Sequence, residues 1–255
     1  MRRVVALLLG LVFIGGLVQA EELYAFYYSR SPGRDMEVNL LNPSANPVQY
    51  TIRAYDAWGR QVWEAAGDLA PKDAGFYLLS DQVAEDAANW GVITVVSTER
   101  LVIALDYYVN GEPAAFDLIT RAVPDSQTGS TYQLVLYHTE VTELGTALIL
   151  TNPWDQEVSG QLVIYKSDGS RLGVTDLTFS PYEAKFVNLG QLVGQGSRNW
   201  GVLEVVTQDR SIVAACVRVM GGAMQVENVA EAWTVEAAQP VVTPPGPETP
   251  PKKED

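Results

Sequence analysis

Histidine and cysteine are almost missing from this chain: His138 and Cys216 stand alone among 255 residues. A lone cysteine rules out an internal disulfide, so the fold has to rest on its apolar cores. A lone histidine rules out a multi-histidine metal centre and leaves any catalytic triad a single candidate. Basic residues are scarce too, 17 against 31 acidic, for a formal net charge of −14. Such a surface repels phosphate backbones and anionic lipid, which argues against nucleic acid as a partner. Past the first residues, no apolar run approaches the ~20 residues of a membrane-crossing helix.

Those first residues are the exception. Arg2 and Arg3 precede a continuous apolar stretch from Val4 to Val18, and Val18-Gln19-Ala20 offers small residues before Glu21. This is the pattern of a secretory signal peptide over residues 1–20. The mature chain is therefore expected outside the cytoplasm, in the periplasm, at the cell surface or secreted. No stable membrane insertion is expected after leader cleavage.

At an offset of 110 residues the chain matches itself without a gap. Asn42-Pro43 falls on Asn152-Pro153, Tyr55 on Tyr165, Gly59 on Gly169, Pro71 on Pro181 and Asn89-Trp90-Gly91-Val92 on Asn199-Trp200-Gly201-Val202. A fixed period of this length means two copies of one domain. The expected division is leader 1–20, first repeat 21–120, polar linker 121–131, second repeat 132–238 and a proline-rich disordered tail over 239–255. Within each repeat, short runs rich in Val, Ile, Tyr and Thr alternate with turn residues, and no long segment has helical period. Asp168-Gly169, Asn110-Gly111 and Gly221-Gly222 are hairpin signals. Only 81–88 suggests a helical turn. The fold class is all-β: two tandem antiparallel β-sandwiches.

Alternation orients the late strands. Under the gapless offset, Leu101, Ile103, Leu105 and Tyr107 match Ser211, Val213, Ala215 and Val217 on the core face. The opposite face then holds Asp106, Tyr108, Cys216 and Arg218 near solvent. The strand spacing, the paired Asn-Pro and Trp-Gly positions, and the hairpins ending in Gly59 and Gly169 together resemble tandem immunoglobulin-like or fibronectin-like modules of bacterial envelope and surface proteins. That resemblance implies a spacer, an adhesive unit or a binding platform.

Chemistry-bearing constellations are thin. His138 takes the strand position of Tyr28 and reads as a structural side chain. The carboxylates Asp35 and Glu37, Glu140 and Glu143, and Asp81, Glu85 and Asp86 could in principle form a glycosidase pair, but none recurs as a pair in both repeats and all lie in or beside apparent loops, so they read as solvated surface. No calcium loop and no phosphate-cradling glycine loop is present. No metal site, cofactor or enzymatic activity is expected. Trp90 and Trp200, shared by both repeats, read as core or core-edge plugs. Trp58, Trp63 and Trp154 occur in one repeat only and, with Tyr108 and Arg218, are the candidate contacts for a ligand or partner. Packing at the joint between the repeats is the rival reading for these tryptophans. Cys216 on the outer face would allow an intermolecular disulfide and a homodimer. The function expected is a non-enzymatic structural or protein-binding module of the cell envelope. Its alternative is a carbohydrate-binding or adhesive module, so the partner is an envelope protein or a surface polysaccharide.

Overall fold

The computed structural model describes residues 21–86, 88–141, 144–194, 199–220, 223–230 and 233–237. Residues 1–20, where a leader is expected, and the expected proline-rich tail over 239–255 lie outside the described residues. The first repeat contributes β1 (Glu22–Ser29), β2 (Arg34–Leu41), β3 (Val48–Asp56), β4 (Gln61–Leu69), β5 (Ala74–Leu78), β6 (Trp90–Ser97), β7 (Val102–Val109) and β8 (Glu112–Ile119). The second contributes β9 (Ser130–Thr139), β10 (Leu144–Thr151), β11 (Val158–Tyr165), β12 (Arg171–Phe179), β13 (Ala184–Asn188), α1 (Leu189–Val193), β14 (Trp200–Gln208), β15 (Val213–Met220) and β16 (Ala223–Ala230), followed by β17 (Trp233–Ala237).

Each repeat folds into two antiparallel sheets. In the first, β1-β6-β3-β4 faces β5-β2-β7-β8; in the second, β12-β11-β14-β9-β17 faces β13-β10-β15-β16. The inward positions of the strands fill the cores, with Tyr24, Phe26, Val38, Leu40, Ile52 and Ile93 in the first and Leu134, Leu148, Leu150, Leu162, Phe179 and Leu203 in the second. This is the all-β sandwich architecture. Prolines 43 and 153 follow the ends of β2 and β10, where no ladder donor is needed. The asparagine before each does more than end a strand. Asn42 is buried and its Nδ2 donates to the carbonyls of Asn46 and Ala70 at 2.8 and 2.9 Å, and Asn152 does the same to Gln156 and Ser180 at 2.7 and 2.9 Å. The helical turn lies earlier than the sequence suggests, at Leu79–Asp81, and its counterpart is the short helix α1. Asn188 caps α1 by accepting from the Gln191 N–H at 3.3 Å, which offsets the glycines.

The offset of 110 residues holds through β6 and β14 and then changes. Leu40 lies opposite Ile103 in the first repeat, whereas Leu150 lies opposite Ala214 in the second. From β7 onward the structural offset is therefore 111, and the turn after β14 is one residue longer than its counterpart. The Ser97 hydroxyl donates to the carbonyl of Glu99, but Thr207 donates to that of Arg210. Asp209 takes up the extra residue at φ 62°. A slip of one residue moves every side chain of a strand to the opposite face.

The face assignment from the sequence is thus corrected for β15. Cys216 is the counterpart of Leu105, not of Asp106; it is half-buried opposite Leu148 and packs against the core of its own repeat. Arg218 lies on β15 at the same register parity, and its side chain is outside the described residues. Val213, Ala215 and Val217 turn away from that core. Together with Ala147 and Ile149 of β10 they join the hydrophobic cluster of the first repeat.

The face they cover is the outer side of the sheet β1-β6-β3-β4. Ala25, Tyr27, Tyr55, Val92 and Thr94 point away from the first core, yet all are buried. The four sheets accordingly stack as layers, with the second repeat seated on one side of the first. The linker is tied down as well: Val123 is buried and its N–H donates to the carbonyl of Leu23 at 2.6 Å.

Ala215, buried between the repeats, and Ala104, its counterpart on a half-exposed face, give a direct check. Ala215→Asp is expected to cost about 3 kcal/mol in urea unfolding, because it buries an unpaired carboxylate. Ala104→Asp is expected to cost about 0.5 kcal/mol or less. A small effect at Ala215 would contradict its burial between the repeats.

Candidate binding site

The layered packing leaves one surface open that its repeat counterpart does not. Tyr137, Tyr165, Trp200, Gly201 and Val202 stand where Tyr27, Tyr55, Trp90, Gly91 and Val92 stand in the first repeat, on the outer side of the corresponding sheet. Among the described residues nothing covers them in the second repeat: Tyr137 is 52% exposed, Trp200 44% and Val202 41%, whereas Tyr27 is 6% and Val92 0%. With Lys166, Ser167, Gly169 and Glu204 they line a groove of about 460 Å³. Pleating places Tyr137, Val202 and Tyr165 in one row across β9, β14 and β11, with Trp200 in the next row and Glu204 on the other side.

The first repeat shows what fills this geometry. The turn over residues 180–184 of the second repeat enters the equivalent groove. Tyr182 stacks on Tyr55 with centroids 3.9 Å apart and planes 5° apart, the Ala184 N–H donates to the carbonyl of Ala57 at 3.1 Å, and Trp58 forms an antiparallel bridge with Glu183. Gly59 is held at φ 80°, and a Cβ there would come within 2.1 Å of the Pro181 carbonyl oxygen. Gly169 has the same φ and nothing within 4 Å. The second groove is a free version of an occupied one.

The tryptophans singled out in the sequence sit elsewhere. Trp58 is 61% exposed beside the joint of the repeats, with Arg60 over its ring at 5.1 Å. Trp154 is half-buried, packs against both cores, and donates its indole N–H to the carbonyl of Ser211 at 2.7 Å. Trp63 packs edge-on against Tyr77 at 5.1 Å within the first repeat. Tyr108 is half-exposed on the far sheet of the first repeat, near Asp106 and Glu37. The structure therefore does not gather these residues into one platform. Trp200 corrects the core-plug reading: it is a groove wall. The missed signal was the shared Tyr-Tyr-Trp-Val set itself, since side chains kept on an outward face imply a contact.

Beneath the groove lie polar groups with structural partners. His138 is fully buried; its Nε2 is 2.8 Å from the carbonyl of Tyr165, and burial holds its imidazole below the usual range. Glu140 is also buried and accepts from the Thr146 N–H at 2.8 Å; burial pushes its carboxyl up to about 7. Its counterpart Arg30 is buried as well and meets Asp35 at 3.3 Å. Among the described residues, no cluster of three or more His, Cys, Asp or Glu could hold a metal ion.

No family model and no curated protein matches the chain. Solved structures that it resembles include a glycosyl hydrolase family 2 member from Bacteroides cellulosilyticus, 9% identical at TM-score 0.19, with 84% of this chain and 30% of that chain covered. Another is a β-glucuronidase from Bacteroides uniformis, 12% identical at TM-score 0.17, with 84% and 26% covered. The chain spans less than a third of the length of these two. At such scores the likeness carries no argument about fold or function.

The Glu140 carboxyl sets a pH dependence. Its value is raised from 4.5 in the open chain to about 7 in the fold, so its contribution is present below about pH 4.5 and is lost as pH rises through 7. Glu140→Gln is expected to be more stable than the native chain by about 2 kcal/mol at pH 8 and equal to it near pH 4. Parallel melting curves at the two pH values check this; an equal difference at both would contradict it.

Proposed function

We propose that this chain is a non-enzymatic, exported structural and protein-binding module of the cell envelope, and that the aromatic groove of its second repeat is the binding surface. One observation carries this reading: in the first repeat, the same constellation is occupied by polypeptide. Side-chain stacking, a main-chain hydrogen bond and a bridge hold the turn over 180–184 there. A groove built from the same residue types at the same strand positions suits the same kind of occupant. Large aromatic anchors in a partly enclosed pocket are also the usual energetic centre of a protein interface.

A carbohydrate-binding or adhesive role is the second reading. It is favoured by the exposed ring faces of Tyr137 and Trp200 beside the single carboxylate Glu204. Sugars stack on such faces and donate to such carboxylates. The groove's precedent within the same molecule is protein, which ranks the sugar reading second.

The two are separated by cross-linking in intact envelopes with the native chain and with a Tyr137→Ala/Trp200→Ala variant. The expected result is a stoichiometric protein adduct that falls at least tenfold in the variant, with an unchanged melting temperature. Retention of a polysaccharide that is lost in the variant would replace the protein reading with the carbohydrate one. An adduct unaffected by the substitutions would remove the groove from either role.

A further inference from the structure

The occupied groove specifies its occupant closely enough to search for an equivalent. It is a five-residue turn whose third residue, directly after proline, is left-handed: Tyr182 has φ 57°, the Glu183 N–H donates to the carbonyl of Ser180 at 3.1 Å, and the Asn152 N–H donates to that of Glu183 at 2.9 Å. The first repeat carries the same turn over residues 70–74. Lys72 has φ 64°, the Asp73 N–H donates to the carbonyl of Ala70 at 3.1 Å, and the Asn42 N–H donates to that of Asp73 at 3.0 Å. Pro71 occupies the place of Pro181. This turn lies at the far end of the layered stack, and Ala70, Pro71, Lys72, Asp73 and Ala74 are all exposed.

We propose that the groove of the second repeat receives the 70–74 turn of a second copy of this chain, so that molecules stack head to tail in the relation the two repeats already have. This rests on the protein-binding reading of the groove and names its partner. In that relation the Ala74 N–H, which donates to Asp73 Oδ1 at 2.9 Å within its own turn, moves to the carbonyl of Ser167, the counterpart of Ala57. Lys72, whose ammonium donates to the Pro43 carbonyl within its own repeat, exchanges that bond for the place of Tyr182, over the ring of Tyr165 and near Glu204. Its ammonium supplies a cation–π contact and a complement to that carboxylate. Behind the turn, the far sheet of the first repeat presents Leu41, Phe76, Phe116 and Leu118, all exposed, toward a face carrying Val135, Val174 and Val202, also exposed.

Charge limits the affinity. Asp73 would approach Asp168, and Glu37 and Asp106 lie on the incoming sheet, with Lys166 in the groove wall as partial compensation. The association is therefore weak and strengthens as salt screens the like charges. Because the two surfaces differ, each addition leaves a free groove at one end, and the assembly is open-ended rather than a closed dimer.

Sedimentation of the leader-processed chain from about 1 to about 500 µM tests this, since mass action drives such an assembly. The expected result is a continuous rise in average mass beyond dimer, stronger at high salt. Tyr165→Ala should weaken it at least tenfold, Lys72→Glu similarly, and Lys72→Tyr, which restores the ring pair seen between the repeats, should strengthen it. Unchanged circular dichroism and melting temperature show that the variants stay folded. A monomer throughout, or a closed dimer insensitive to Lys72, would overturn the proposal. A monomer whose envelope adduct still depends on Trp200 would overturn self-stacking alone and leave the protein-binding reading in place. Quenching of tryptophan fluorescence by a peptide of residues 239–255, without self-association, would assign the groove to the tail and overturn it too.

Discussion

The contact between the two repeats is the constraint on which the rest of the molecule depends. A sandwich of about 100 residues has two outer faces, and in soluble antiparallel sheets those faces are ordinarily polar. Here the outer face of β1-β6-β3-β4 carries Ala25, Tyr27, Tyr55 and Val92, and it is dry only because Ala147, Ile149, Val213, Ala215 and Val217 cover it. The alanines in this set allow the sheets to approach closely, and the Tyr55–Tyr182 stack fixes the turn that closes one end. Removing the second repeat would expose a large apolar face on the first.

That contact exists because of one additional residue. Without the longer turn at Asp209, Val213, Ala215 and Val217 would point into the second core and Cys216 would face the first repeat. The insertion turns a copy of a strand into an interface. It also leaves the second repeat with a smaller residue, Ala214, where the first has Ile103, so the two cores are not filled alike.

Much of the architecture was legible in the sequence. Period-2 runs, turn residues and paired Asn-Pro positions marked the strands of both sandwiches, because those signals are local. The register change was not legible: from Val213 to Val217 both faces of β15 are apolar, and Ala104 matches Ala214 at one offset and Ala215 at the other, so alternation there does not fix the offset. The groove was missed for a related reason. A tryptophan kept in both repeats looks like a core residue, and only the packing of one repeat on the other shows that Trp90 and Trp200 belong to an outer face. Cys216 and the unique tryptophans drew attention because they differ between the repeats, whereas the informative residues are those that stay the same while their surroundings change.

One face occurs twice, covered in the first repeat and, among the described residues, open in the second. Hydroxyl-radical footprinting of the dilute chain, read by mass spectrometry at single residues, measures this directly. Tyr137 and Trp200 are expected to be oxidised several-fold faster than Tyr27 and Tyr55. Equal rates for Tyr137 and Tyr27 would mean that the two faces share one environment, and would contradict that expectation.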